Sequence, residues 1–296
     1  MRFLMCNKFN FKIQIFFLPK VHRVCYNIYD MRSKPFYSFQ IGEIMVSENE
    51  KNRFSEICRQ IIGRVHERSG IGTYKEKIIH LVLKKYFCDD ESLHEIKMGR
   101  FVADAACDGF IFEIQSKGLY PLKKKISSYL EETDKRVVII LPVISKKSLV
   151  WVDCESGEMS APRRVSVAHP KKPLLREFMW IGSLIDFSRI VLKIVFIDAD
   201  EYRLLDGFGA ERKIKATKID RIPKELLDVV TIDSKEAFGN FFMPPELPYE
   251  FRAKDFEKAT GLRKKGVSAG LRALESVGII EREKLSEHKV VYRVII

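Results

Sequence analysis

The segment that most constrains this chain is Val102-Ala103-Asp104-Ala105-Ala106-Cys107-Asp108-Gly109-Phe110-Ile111-Phe112-Glu113-Ile114-Gln115. Asp108-Gly109 between two apolar runs predicts a two-residue β-hairpin, because both central residues of a type I′ turn need positive φ. Once the turn is fixed, the register follows. Cys107 faces Phe110, and counting outward puts Asp104 opposite Glu113, with Gln115 two residues further along on the same side. Opposed residues on one sheet face hold their Cβ atoms about 4.5–5.5 Å apart. Two carboxylates at that separation, on a hairpin otherwise built of Ala, Ile, Phe and Val, repel each other unless one is protonated or a cation bridges them. A divalent cation is the economical solution, and an all-oxygen site suits Mg²⁺ or Mn²⁺ better than Zn²⁺. The plainer alternative is a salt-bridged pair meeting Lys117 or Lys123 across the sheet.

Around the hairpin the periodicities describe an α/β layered core. Residues 50–87 predict two helices broken near Gly70-Ile71-Gly72, the second with Ile78, Ile79, Leu81, Val82 and Leu83 as its apolar face. Strands are expected at 93–98, 101–107 and 110–115. A helix follows in which Leu119, Leu122, Ile126, Tyr129 and Leu130 share one side, then strands at 136–143 and 148–153. Beyond Ser156 the chain is basic and punctuated by proline, with a helix expected at 174–186 and a strand at 190–198. The first 44 residues show no sustained helical or alternating period and form no proper signal peptide. With Met45-Val46-Ser47-Glu48 reading as an ordinary protein start, they are expected to be a leader from an over-called start codon, the alternative being a short strand or docking arm.

An Asp on one strand, a hairpin, Glu-x-(Lys or Gln) on the next strand, a Glu on the preceding helix and an amphipathic helix afterwards together resemble the PD-(D/E)XK restriction-endonuclease-like superfamily. The resemblance spans about Thr73 to Val152. Phe112-Glu113-Ile114-Gln115 followed by Leu122-Lys123-Lys124-Lys125 is similar to a bacterial branch that keeps Glu-Ile-Gln. The resemblance implies a mixed sheet flanked by helices and a metal held by Asp104 and Glu113. Gln115 stands where the family usually has Lys, and can orient a water but brings no charge. Glu76 is the candidate acid from the helix. Thr73-Tyr74-Lys75-Glu76 also fits a capping box, in which Glu76 only satisfies a backbone N–H, and His80 shares its face one turn on. Lys117 and Lys123 are candidate phosphate contacts, against the alternative of a solvated helix face.

From Pro248 the order helix (253–259), turn at Thr260-Gly261-Leu262, helix (264–277) and two strands around a polar tip resembles a winged helix-turn-helix, as an arrangement of elements. The N-terminal residues of its second helix, Arg263, Lys264, Lys265 and Ser268, would meet base edges and phosphates. Domains are therefore expected at 1–44 (leader), 45–160 (nuclease-like core), 161–247 (middle α/β region) and 248–296 (winged helix).

A net charge of +12 suits a partner that carries phosphate. Seven of the basic residues lie in positions 1–44, against only Asp30 and Glu43. The longest apolar runs, Val137 to Leu141 and Ile190 to Ile197, are far shorter than the roughly 20 residues of a membrane span. Six cysteines without a C-x-x-C pair or zinc-finger spacing argue against structural zinc and fit reduced thiols in the cytoplasm. The expected function is Mg²⁺-dependent phosphodiester hydrolysis on nucleic acid, double-stranded DNA first, with a homodimer allowed. The alternative is a non-catalytic DNA-binding or adaptor protein on the same scaffold.

Overall fold

The computed structural model describes residues 2–6, 11–17, 24–30, 46–68, 77–116, 118–167, 171–208, 215–286 and 289–296. Two compact units are formed, residues 1–45 and 46–296. In the first, β1 (Arg2–Cys6), β2 (Phe11–Phe17) and β3 (Val24–Asp30) make an antiparallel meander in the order β1-β2-β3. Strands form here although the stretch carries no sustained alternating period. Phe11, Ile13, Ile15 and Phe17 alternate with Lys12 and Gln14, a strand-like signal too short to register across the whole segment.

The second unit starts with α1 (Glu48–Arg68) and α2 (Ile78–Phe87). Ser47 opens α1 as a capping box: its Oγ accepts from the Glu50 backbone N–H at 3.3 Å, and the Glu50 carboxylate accepts from Ser47 N at 3.0 Å. Then come β4 (His94–Met98), β5 (Phe101–Cys107), β6 (Phe110–Ile114), α3 (Leu122–Glu132) and β7 (Arg136–Asp153). After β8 (Arg163–Val165) and α4 (Lys171–Glu177), two short 3-10 turns at Phe178–Trp180 and Gly182–Leu184 lead into β9 (Ile190–Leu205) and β10 (Thr217–Ile232). α5 (Lys235–Phe242), β11 (Glu250–Phe251), α6 (Ala253–Thr260), α7 (Lys264–Val277), β12 (Ile280–Ser286) and β13 (Lys289–Val294) complete it.

The result is α/β, with one large mixed sheet in the order β10-β9-β7-β6-β5-β4 and β8 paired to β7. β4, β5 and β6 are antiparallel neighbours. β6 runs parallel to β7, as a crossover through α3 requires, and β7 runs parallel to β9. β7 is a single strand of 18 residues, where two strands were expected. A register shift at Ile144/Lys146 bends it, and pairing with β9 continues on both sides of the bend. The expected helix at 174–186 is α4 plus the two 3-10 turns, because the apolar residues there fit the space under α7 and not one continuous helical stripe.

Both faces of the sheet are covered, which is why its central strands read as unbroken apolar runs. Phe112, Ile114, Val138, Ile140, Val195 and Ile197 pack toward α1 and α2. Ile111, Val137, Ile139, Leu141, Leu192 and Ile194 pack toward α3 and the C-terminal elements. α7 belongs to that second cluster through Val267, Leu271, Leu274 and Val277. Gly266 and Gly270 are buried too, and a Cβ on Gly270 would lie 3.2 Å from both Leu175 and Phe256. Glycine weakens a helix taken alone, but at this position it lets α4 and α6 approach α7 closely. No helix among the described residues is long and apolar enough to cross a membrane.

Candidate active site

The hairpin forms in the expected register. Asp108 and Gly109 both have positive φ, +50° and +80°, and the pairs Cys107↔Phe110, Ala106↔Ile111 and Ala105↔Phe112 follow. Asp104 and Glu113 come next, beyond the last of these pairs. There the ladder gives way, because the Asp104 carboxylate replaces a backbone acceptor: the Ile114 N–H donates to its Oδ2 at 2.6 Å. From the first turn of α2, His80 Nε2 lies 3.0 Å from the same oxygen. An ionised carboxylate only accepts, so this nitrogen carries the proton.

Glu113 is only 2% exposed. Two groups of α3 hold it: Lys125 Nζ donates to Oε2 at 2.7 Å and the Tyr129 hydroxyl donates to Oε1 at 2.9 Å. Burial and the charge of Asp104 push the Glu113 carboxyl up to about 7, against the opposing pull of Lys125 and Tyr129. For Asp104 burial acts upward as well, but the hydrogen bond and charge of His80, the Ile114 N–H and Lys125 outweigh it and hold this acid below its ordinary range. Near neutral pH one carboxylate is ionised and its neighbour is poised to lose its proton. The pair thus resolves its repulsion in two of the ways charge can: a lysine close by and a shared reluctance to ionise together.

Lys125 answers a question the sequence left open. A lysine does meet the pair, and it comes from α3 at position 125 and not from position 123. Lys125 and Tyr129 are four residues apart and so share one side of α3, at the border of the stripe made by Leu122 and Ile126. That spacing is the signal in the sequence that points to them. Gln115 lies where expected in the chain, with its backbone N–H on Ile140 O at 2.9 Å, while its side-chain amide donates to Gly118 O at 2.6 Å and ties down the turn into α3. Lys123 is exposed on α3. Glu76 and Lys117 lie outside the described residues, as does the Thr73 to Glu76 capping box. Among the described residues, no group of three His, Cys, Asp or Glu side chains is arranged to hold a metal ion.

Toward the C-terminus, the first turns of α7 carry Arg263, Lys264, Lys265 and Ser268 on their exposed side, with Ser268 Oγ donating to Lys264 O at 3.3 Å. Two adjoining cavities open beside the hairpin's end. One, of about 480 Å³, is lined by Gln115, Ser116, Lys147, Glu177 and Arg221 among others. The smaller one is lined by Lys77, His80, Ile114, Ser116, Lys218, Asp220 and Arg221.

These features define an α/β protein with a helix-covered mixed sheet and an acidic pair, Glu113 buried and Asp104 partly exposed, at the end of a central hairpin. The chain belongs to the family described as Domain of unknown function (DUF8091), whose sequence model matches residues 77–233. That match runs from the residue before α2 to the residue after β10, so it takes in the acidic pair and the sheet and stops short of the C-terminal elements. No curated protein and no solved structure matches the chain.

Proposed function

We propose that this protein is a divalent-metal-dependent phosphodiesterase of the restriction-endonuclease-like kind acting on DNA, with Asp104 and Glu113 as the residues that hold Mg²⁺ or Mn²⁺. The observation that carries the reading is the acidic pair itself: two carboxylates on the two paired strands of the Asp108-Gly109 hairpin, one held below its ordinary range and one pushed up to about 7 by burial and its neighbour. Such a pair has a deficit of positive charge that a hard dication would fill. The order helix, three antiparallel strands, helix and parallel strand over residues 78–153 supports the same reading.

A bound cation would polarise the phosphate and acidify a water. This chain's own residues do the rest. His80 and the Ile114 N–H fix Asp104, Tyr129 aims Glu113, and Lys125 supplies beside the acids the positive charge that Gln115 lacks. The exposed Arg263, Lys264 and Lys265 would contact the phosphates of the duplex, the C-terminal module being read as a winged helix.

A second reading, a DNA-binding protein on the same scaffold without catalysis, is favoured by one specific contact. Lys125 already sits on Glu113, where a dication would be. Mn²⁺ titration separates the two. On the catalytic reading Mn²⁺ raises the melting temperature of the wild type and supports cleavage of duplex DNA, and Asp104→Asn loses both, since a ligand of the native state stabilises by RT ln(1 + [L]/Kd). Equal Mn²⁺ stabilisation and equal cleavage in wild type and Asp104→Asn would sink the metal site. DNA binding with no response to Mn²⁺ in either protein would favour the second reading. Deleting residues 249–296 is a poor test of the C-terminal module, because α7 is part of the main core. Replacing Arg263, Lys264 and Lys265 by Gln leaves that packing alone and is expected to weaken DNA binding and flatten its salt dependence.

A further inference from the structure

β7, β9 and β10 run on together past the end of β6 as a three-stranded ribbon. On one face of it lies Glu201, 1% exposed. Arg221 stands directly across the β9–β10 ladder from Glu201 and donates Nε to Oε2 at 2.8 Å. Arg203, two residues along the same strand, donates Nε to Oε1 at 2.9 Å. Lys147 from β7 and Lys218 from β10 complete the ring with their Nζ atoms 3.5 and 3.6 Å from the carboxylate. One buried carboxylate therefore gathers four cations.

An ion pair needs one cation per carboxylate, so this arrangement does more than neutralise Glu201. Other acids nearby among the described residues are engaged elsewhere. Asp220 accepts from the Ile78 and Arg221 backbone N–H groups and stands 4.0 Å from Lys77, while Glu177 accepts from the Leu119 N–H. Asp200 is paired with Lys224. Three of the four cations also face open space: Lys147 lines the larger cavity, Lys218 the smaller, and Arg221 both. Ser116 is common to both cavities as well, which joins them into one trough. The trough reaches His80 and Ile114, the two groups that grip Asp104.

We propose that Lys147, Lys218 and Arg221, gathered round Glu201, form a phosphate track that leads the backbone of a nucleic-acid strand to the Asp104–Glu113 pair. The inference rests on the proposal that the substrate is nucleic acid, and adds where the strand runs. Glu201 acts as a positioning residue: it preorganises the cations at a spacing that a flexible lysine surface would not hold, so less side-chain freedom is lost when phosphates arrive. The track reads charge and carries no base specificity, since phosphate contacts fix register and not sequence.

The test is binding of a labelled duplex DNA to the full chain in EDTA, over a series of salt concentrations, for wild type and Lys147→Gln/Lys218→Gln. Both lysines stand at the outer distance from Glu201, so the Arg203 and Arg221 bonds remain and the melting temperature serves as the check on folding. The double variant is expected to bind roughly tenfold more weakly at moderate salt, with the slope of log K against log salt shallower by about 1.8. Wild-type affinity and slope in a folded double variant would overturn the track while leaving nucleic-acid binding through other residues intact. A wild type that binds neither duplex DNA nor single-stranded RNA would overturn both proposals together. If the double variant melts early, Lys147→Gln alone decides, with a slope change of about 0.9 expected and an unchanged slope counting against the track.

Discussion

Glu113 and Glu201 are both almost wholly buried and titrate in opposite directions. Glu113 is pushed up to about 7 and Glu201 is held down at about 2, from the same starting value of 4.5. Burial raises both, and it is the largest single influence on each. The difference lies in company. Glu113 has an ionised Asp104 beside it and one lysine, whereas Glu201 has two arginines in hydrogen-bond contact and two lysines at the next distance. Loss of water therefore does not by itself set the charge state of a carboxylate. The sign of the neighbours decides, and a buried acid with too few cations is the one left ready to take up another.

The largest effect that could break this comparison is removal of each charge in turn. Glu201→Gln strands a set of cations that were fixed by one anion, and is expected to cost about 3 kcal/mol in urea unfolding at neutral pH. Glu113→Gln removes a charge that the fold already resists, and is expected to raise stability at neutral pH by up to about 3 kcal/mol. Equal losses in the two variants would show that the surroundings of the two acids are alike in energy, contrary to the geometry.

The pH dependence should differ in sign. For Glu113 the unfolded chain releases its proton near pH 4.5 and the folded chain only near 7, so the folded state binds more protons between those values. Stability then falls as pH rises through that window, by an amount on the order of 3 kcal/mol, and is level above it. For Glu201 the unfolded chain takes up its proton first on acidification. Its contribution is present above pH 4.5 and is lost as pH falls toward 2. Urea melts in EDTA across pH 3 to 8, repeated with Glu113→Gln, check both. A slope between pH 4.5 and 7 that survives unchanged in Glu113→Gln belongs to other groups.

Smaller effects sharpen the picture at the acidic pair. Tyr129→Phe takes one donor from Glu113 and is expected to cost about 1 kcal/mol, more at pH 8 than at pH 5, because the hydroxyl favours the ionised acid. Asp104→Asn without metal should lie within about 1 kcal/mol of wild type: the loss of the charged contact to His80 opposes the relief of Glu113. A loss at pH 8 much larger than that would mean that the ionised Asp104 is a structural anchor first and a neighbour of Glu113 second.

The sequence by itself determined the hairpin. Asp108-Gly109 has one good backbone solution, and a period of two then carries the register outward without further information, so the pairs from Cys107↔Phe110 to Ala105↔Phe112 follow from adjacent residues alone. Local periodicity likewise marked α2, α3, α6 and α7, each with an apolar stripe that needs only its own residues to be recognised. What the tertiary structure decided is which distant groups arrive. Lys125 reaches Glu113, instead of Lys123, because the crossover from β6 to β7 sets the rotation of α3 about its axis. β10 is not legible in the sequence because its bulges interrupt the alternation, with shifts at Lys218/Asp220, Pro223/Glu225 and Leu226/Asp228. Without β10, Arg221 cannot be set opposite Glu201, and four cations scattered over three strands look like ordinary surface charge. Register within a turn is a local energy, readable from adjacent residues. The meeting of charges from separate strands is fixed only when the whole sheet is assembled and water is excluded from between them.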